Sequence, residues 1–318
     1  MLAPDEVGPA RGEPLIRVAF EDDIAGRIAQ IKAGGTAYDN QNIKPRFSLA
    51  GAQGKFAYTS FAGGYYWSDE ATPSTHILKP EAQRHSGLEL IESATLELAR
   101  RAGLDAPYAS QREFSGETAY VVERFDREPG PDGMMGRLHM EDSVQALGRP
   151  VEDKYQIHTD DIIELLRRET GDDEAGYAFY RQYVFNSLIG NTDAHGKNYS
   201  LMLDGDRVSV SPLYDALPVG WFDDYQQTLS MPVGYNDQFR TLTSQDWEEA
   251  FADSTLDPER LRVMVAETGA AIQEHLDATL GAVDHPRVTG DRLAIIHRVI
   301  ERSRGELPTP TFDLGSDD

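Results

Sequence analysis

Ile24, Ile28 and Ile31 recur at helical spacing and Gly34-Gly35 closes the run, so the pattern predicts a helix over 22–33 behind a short strand at 15–20. Upstream, the first residues are rich in Pro, Gly and acids and read as an irregular arm. From Phe47 the pattern changes: a stretch of small residues runs into a strand reaching Tyr58. Gly63-Gly64 turns the chain, and Tyr65-Tyr66-Trp67 returns as a packed strand. His76-Ile77-Leu78-Lys79-Pro80 is a further short strand, closed by proline. Over 88–101, Leu90, Ile91, Ala94, Leu98 and Ala99 line one face of a helix that Gly103 stops. Residues 118–125 are β-branched and aromatic, a strand leading into a polar, Gly/Pro-rich connection over 126–136.

The second half is patterned mainly for helices. Ile162, Ile163, Leu165 and Leu166 predict one over 159–168, capped by Thr159 or Asp160. An aromatic helix follows over 177–189. Strands at 199–203 and 208–211 flank Asp204-Gly205-Asp206, a hairpin signal. Asp257-Pro258 opens another helix, and Leu293, Ile296, Val299 and Ile300 mark the last one over 291–300. The tail from Glu306 is proline-rich and acidic and is predicted to be disordered. These patterns divide the chain into a β-rich lobe over 1–126, a helical lobe over 127–305 and the tail over 306–318.

Composition narrows the classes of function. Of 318 residues, 40% are hydrophobic and 26% charged, as in a soluble globular protein. Acids outnumber bases 54 to 30, and a net charge of −24 conflicts with a protein that grips nucleic acid unaided. The absence of cysteine excludes disulfides and thiolate chemistry and fits a reducing, cytoplasmic setting. The acidic start is not followed by an apolar run, so no signal peptide is expected, and no stretch approaches the about 18–20 apolar residues of a membrane span. The eight histidines show no zinc-ligand spacing. Asp172-Asp173-Glu174 and Asp223-Asp224 read as solvated loops.

The chemistry concentrates in Gly190-Asn191-Thr192-Asp193-Ala194-His195-Gly196-Lys197-Asn198. An aspartate precedes an asparagine by five positions, between an aromatic helix and a hairpin. The hairpin returns to Leu213-Tyr214-Asp215. In phosphoryl transfer one carboxylate orients an attacking hydroxyl and accepts its proton, while an amide oxygen and a second carboxylate hold Mg²⁺ on the nucleotide phosphates. Asp193, Asn198 and Asp215 suit these roles. Such residues also cap turns and helices, and that plainer reading stands beside the first. Lys79, on a strand, suits α- and β-phosphates, and Glu89, Glu92 or Glu97 on the next helix could pair with it. The small-residue loop 48–55 offers backbone N–H groups to phosphates, though it would equally make an ordinary turn.

With these residues assembled, the chain resembles the HipA-type serine/threonine kinases, toxins of bacterial toxin–antitoxin pairs. The resemblance rests on Ser48-Leu49-Ala50-Gly51-Ala52-Gln53-Gly54-Lys55, Thr75-His76-Ile77-Leu78-Lys79-Pro80, Val122-Glu123-Arg124-Phe125-Asp126-Arg127, Met140-Glu141-Asp142, the loop from Gly190 to Asn198, and Pro212-Leu213-Tyr214-Asp215, in family order. It implies an α+β, two-lobed protein-kinase-like fold with a small β-rich N-lobe and a mainly helical C-lobe, using ATP and Mg²⁺. By resemblance, Asp193 is the catalytic base and Asn198 and Asp215 are the Mg²⁺ ligands. Lys79 is the phosphate-contacting lysine, Glu92 the helix acid, and Glu123, Arg124 and Phe125 the adenine hinge. Ala50, Gly51, Ala52, Gln53, Gly54 and Lys55 form the phosphate loop. His195, Gly196, Lys197 and Tyr214 lie by the nucleotide. Ser48 matches the serine that family members autophosphorylate to inactivate themselves; its plain alternative is a loop hydroxyl in a local hydrogen bond.

The resemblance further implies a protein substrate such as an aminoacyl-tRNA synthetase, a HipB-like helix-turn-helix antitoxin, DNA contact only through that antitoxin, and no membrane. Longer relatives carry an extra N-terminal subdomain, whereas 47 residues precede Ser48 here. The chain is therefore expected to be a short, HipT-like form, with that subdomain either a separate HipS-like protein or lost. Gly54 stands where relatives often have an acid, which is expected to loosen the loop. Two other classes share some of these residues: a small-molecule kinase acting on antibiotics or sugars, and a non-catalytic ATP-binding scaffold for an antitoxin. The intact set Lys79, Asp193, Asn198 and Asp215 argues against the scaffold.

Overall fold

The computed structural model describes residues 17–34, 54–69, 72–81, 86–130, 135–223 and 225–305. The irregular arm, Ser48, Ala50 to Gln53 of the expected phosphate loop, Asp224 and the tail from Glu306 lie outside the described residues. The chain forms two compact units, one from the residues up to Leu90 with Tyr108–Leu138, the other from Ile91–Pro107 with the chain from His139 onward.

The first unit contains β1 (Arg17–Val18), α1 (Glu21–Lys32), β2 (Phe56–Phe61), β3 (Gly64–Trp67) and β4 (His76–Pro80). Helix α2 (Leu88–Arg101) starts in it and continues into the second unit from Ile91. Strands β5 (Ala109–Phe114), β6 (Glu117–Glu123), β7 (Arg127–Pro129) and β8 (Met135–Arg137) complete it. Six strands make one antiparallel sheet in the order β1-β3-β2-β4-β6-β5. The isoleucine stripe of α1 covers it. Ile24, Ala25 and Ile28 cluster with Phe56, Tyr58, Trp67, Leu78, Phe114, Ala119 and Val121. Each large side chain buried this way contributes about 1.5–3 kcal/mol. Arg27 extends the cover, its guanidinium 4.2 Å from the Trp67 ring centre.

Strand β5 carries no sequence pattern because it forms a sheet edge: Ser110, Gln111, Arg112 and Glu113 are all exposed. The polar, Gly/Pro-rich connection after β6 contains the β7–β8 hairpin. His76 stacks on Tyr58, with ring centroids 5.3 Å apart. Burial, then the Arg112 charge, lower its pKa to about 4. The imidazole is therefore neutral at pH 7, and Glu123, 4.0 Å from its Nε2, makes no ion pair with it there.

The second unit adds β9 (His139–Asp142), α3 (Ser143–Ala146), α4 (Thr159–Thr170), α5 (Glu174–Ile189), β10 (Ser200–Asp204), β11 (Arg207–Val210), β12 (Thr228–Val233), β13 (Asn236–Gln238), α6 (Ser244–Asp253), α7 (Pro258–Thr279) and α8 (Gly290–Arg304). Helix α5 is its axis. Tyr177, Phe179, Tyr180, Tyr183, Val184, Phe185, Leu188 and Ile189 are buried on all sides of it, as befits a helix enclosed by neighbours. Helices α4, α7 and α8 pack against it. The β10–β11 hairpin pairs Asp204 with Arg207 across Gly205-Asp206, and β9 adds to it as a third strand.

One expectation is corrected. The cap of α4 is His158, not Thr159 or Asp160, because its backbone N–H donates to Asp161 three residues on (2.9 Å). The acidic run 172–174 faces solvent as expected, with Asp172 and Glu174 exposed; Asp173 pairs with Arg167 (2.6 Å), and Glu174 opens α5 in a bidentate pair with Arg260 (2.7 and 2.8 Å). Asp223 is also exposed as expected and pairs with Arg240 (2.8 Å).

Candidate active site

The loop after α5 is pinned at its start and exposes Asp193 near its middle. Gly190 ends the helix with φ 77°, a left-handed turn, and a β-carbon there would lie 2.5 Å from Phe239 Cζ. Gly190→Ala is expected to cost at least about 2 kcal/mol by denaturant unfolding, from backbone strain and overpacking together. Asn191 doubles back on the helix: its backbone N–H and its side-chain amide donate to Asn186 O (2.8 Å) and Oδ1 (2.9 Å). Thr192 donates through Oγ1 to Gln226 O (2.8 Å), and its carbonyl accepts from the Ser230 N–H (3.0 Å) and Oγ (2.8 Å).

Beyond this anchor the chemistry-bearing side chains gather around His195. Asp193 is exposed. The His195 N–H donates to Asn198 Oδ1 (3.0 Å), and Asn198 Nδ2 donates to Asp215 Oδ2 (3.4 Å). Asp215 is exposed and has φ 55°, a conformation non-glycine residues adopt at a cost of about 1–2 kcal/mol and that aspartate tolerates better than most. Burial lowers the pKa of His195; Asp193 and Asp215 pull it up, and Lys154 adds to the lowering. The imidazole is thus neutral, and its Nε2 accepts from Lys154 Nζ (3.0 Å). Both carboxylates therefore act on one histidine. The structure brings Asp193, His195, Asn198 and Asp215 together, although Asp193 and Asp215 are 22 positions apart in the chain.

Two neighbours are braces. Tyr214 donates to Lys197 O (2.6 Å) and shares a hydrogen bond with Ser200 Oγ (2.7 Å). Lys197 Nζ donates to Asp142 Oδ2 (2.5 Å), while Asp142 Oδ1 caps α3 by accepting from the Gln145 N–H (3.0 Å). Asp142 is a site neighbour that spacing does not reveal, since 55 positions separate it from Lys197.

In the first unit, Lys79 is buried on β4, with Nζ 5.3 Å from the ring centre of its cross-strand partner Tyr120. Glu123 and Arg124, at the end of β6, already donate their N–H groups to Tyr108 O (2.9 Å) and Thr75 O (2.8 Å). The Arg124 guanidinium grips Asp126 through two bonds (2.9 and 2.6 Å), and Arg127 adds a third (2.8 Å). The three arginine contacts hold the Asp126 carboxyl below its ordinary pKa against the opposing effect of burial. Arg124-Phe125-Asp126-Arg127 is thus an ion cluster, and what Arg124 can offer a nucleotide is backbone. Gly54 packs against Ile31 of α1, where a β-carbon would come within 2.5 Å of Cγ2, so the missing acid is a packing feature. Of the candidate helix acids, Glu89 and Glu92 are buried, whereas Glu97 is paired with Arg100 (2.6 Å) and Arg101 (2.8 Å).

Among the described residues, no group of three or more His, Asp or Glu side chains forms a ready metal cage, and no helix is long and apolar enough to cross a membrane. Asn198 and Asp215 still suit a hard cation. The bond from His195 leaves Asn198 Oδ1 a second lone pair, and the Asp215 carboxylate faces solvent. Mg²⁺ is commonly held by one or two such groups, with phosphates and water completing its shell.

The HipA-like C-terminal domain matches residues 47–276. Y4mE of Sinorhizobium fredii, which carries a provisional kinase name, is 33% identical over 243 residues, covering 74% of this chain and 58% of Y4mE. The serine/threonine-protein kinase toxin HipA of Shewanella oneidensis is 32% identical over 218 residues, covering 62% of this chain and 48% of HipA. The chain spans about half the length of the curated relatives it matches. The fold matches that of the Shewanella oneidensis toxin–antitoxin complex of HipA, HipB and operator DNA, with TM-score 0.73 and 23% identity over 94% of this chain and 72% of the other. The Helicobacter pylori proinflammatory kinase CtkA is more distant, with TM-score 0.53 and 10% identity over 83% of this chain and 92% of CtkA. The expected kinase-like fold is therefore present, with a β-rich unit and a mainly helical one. On the extent of the sequence match and the identity to its relatives, the chain belongs to the HipA-like C-terminal domain family.

Proposed function

We propose that the chain is an ATP-dependent protein kinase acting on seryl or threonyl hydroxyls. The observation that carries this is the convergence of Asp193, Asn198 and Asp215 around His195, in a chain whose relatives bear kinase names. Asp193 orients the acceptor hydroxyl and takes its proton. Asn198 and Asp215 hold Mg²⁺, which when bound offsets charge on the nucleotide phosphates. Lys79 contacts phosphate, with Glu92 as its helix acid, and Gly54 and Lys55 continue a phosphate loop that begins at Ala50. Since the N–H groups of Glu123 and Arg124 are engaged, adenine is read by the carbonyl groups of this segment and by Phe125. His195, Gly196 and Lys197 flank the nucleotide, braced by Tyr214 and Asp142.

The biological setting proposed follows the family resemblance. The substrate is a translation component such as an aminoacyl-tRNA synthetase, its phosphorylation inhibits growth in the cytoplasm, and Ser48 is the self-inactivating site. Shewanella oneidensis HipA was solved with HipB and operator DNA, which supports a HipB-like antitoxin as partner. A net charge of −24 supports DNA contact only through that partner. After incubation with Mg·ATP, mass spectrometry is expected to find phosphate on the Ser48 peptide in wild type and none in Asp193→Asn. Phosphate only at other positions would refute the role of Ser48.

A further inference from the structure

The turn Val151–Tyr155 sits beside the loop for a packing reason. It packs on α3 and on the Gly196–Asn198 segment. The buried Ile157 that follows it reaches Gly196 closely enough that a β-carbon there would lie 2.8 Å from Ile157 Cγ1. This approach delivers two consecutive side chains to the site. Lys154 Nζ lies 3.0 Å from His195 Nε2 and 4.6 Å from the Tyr155 ring centre. The Tyr155 ring meets His195 edge to face, with centroids 5.1 Å apart. Its hydroxyl donates to Asp193 Oδ1 at 3.0 Å. Although half exposed, the phenol is thus fixed by three separate contacts.

Asp193 needs such a neighbour. A carboxylate on an exposed loop turns freely about its last torsion, and a general base is effective only when its lone pair meets the acceptor proton. A bond from a neutral donor to Oδ1 sets the plane of the group and leaves Oδ2 for the acceptor hydroxyl. A lysine in the same place would neutralise the base; a phenol does not. Building on the assignment of Asp193 as the base, we propose that Tyr155 is a positioning residue that holds the Asp193 carboxylate in its productive orientation.

The test measures initial rates of ADP formation and self-phosphorylation, with Mg·ATP as the probe, for wild type, Tyr155→Phe, Asp193→Asn and the double variant. Tyr155→Phe keeps the ring and removes one hydrogen bond to a charged group. It is expected to lower kcat about tenfold and leave KM for ATP within about twofold. If Tyr155 acts through Asp193, the double variant is no slower than Asp193→Asn alone. A fold defect would instead raise KM and lower the melting temperature along with kcat. Wild-type turnover in Tyr155→Phe overturns the positioning role, as does faster turnover, which would mean that the phenol occupies the place of the acceptor. A further loss in the double variant overturns it too. Asp193→Asn turning over as wild type would instead overturn the assignment of the base itself, so the two failures are distinguishable.

Discussion

Asp193→Asn is expected to lower phosphoryl transfer about 10²–10⁴-fold, the usual range for loss of a general base, with little change in ATP affinity. The amide is nearly isosteric and can still accept from the Tyr155 hydroxyl, so the loop keeps its shape. What is lost is the basic oxygen and its charge. The residue is exposed and no ion pair to it occurs among the described residues, so the substitution leaves no buried cation behind. Rates of γ-phosphate transfer, measured beside nucleotide affinity, check this. A variant that transfers at the wild-type rate would remove Asp193 from the mechanism.

Asp215→Asn has the second large effect. Turnover is expected to fall about 10²–10³-fold, the scale of removing one preorganised electrostatic contact from a transition state, and part of the loss should be recovered at raised Mg²⁺. The choice of asparagine matters. Asp215 has φ 55°, which asparagine adopts as readily as aspartate, so the loss of charge is separated from backbone strain. Asp215→Ala would confound the two. Titrating Mg²⁺ at fixed ATP checks the prediction, and a variant with unchanged metal dependence would contradict it.

Local patterns in the sequence were the most faithful guides. The stripe from Leu90 to Ala99 with Gly103 behind it marks α2 at the bounds the structure shows, because one helix face is buried and the stop is a glycine with φ 81°. Asp204-Gly205-Asp206 marks the β10–β11 hairpin to within one residue. The loop from Asp193 to Asn198 is legible because its groups lie within one turn of chain. What stayed hidden lacks local pattern. Strand β5 is an exposed edge whose residues need no alternation. Helix α6 did carry a cue, Thr243 capping with Asp246 ahead of buried Trp247 and Phe251, which escaped among polar neighbours. Tyr155 is separated by 38 positions from Asp193, and the approach that joins them depends on Gly196 and Ile157 having complementary shapes. Spacing cannot register such complementarity. Nor does the motif around Arg124 announce that its arginines serve Asp126 first.

The most direct measurement follows labelled γ-phosphate from Mg·ATP in the presence of a bacterial protein extract and, separately, of an aminoglycoside and sugar panel. The account predicts acid-stable label on seryl or threonyl residues of protein, abolished by Asp193→Asn. Label confined to a small molecule, or no transfer at saturating Mg·ATP, would contradict it.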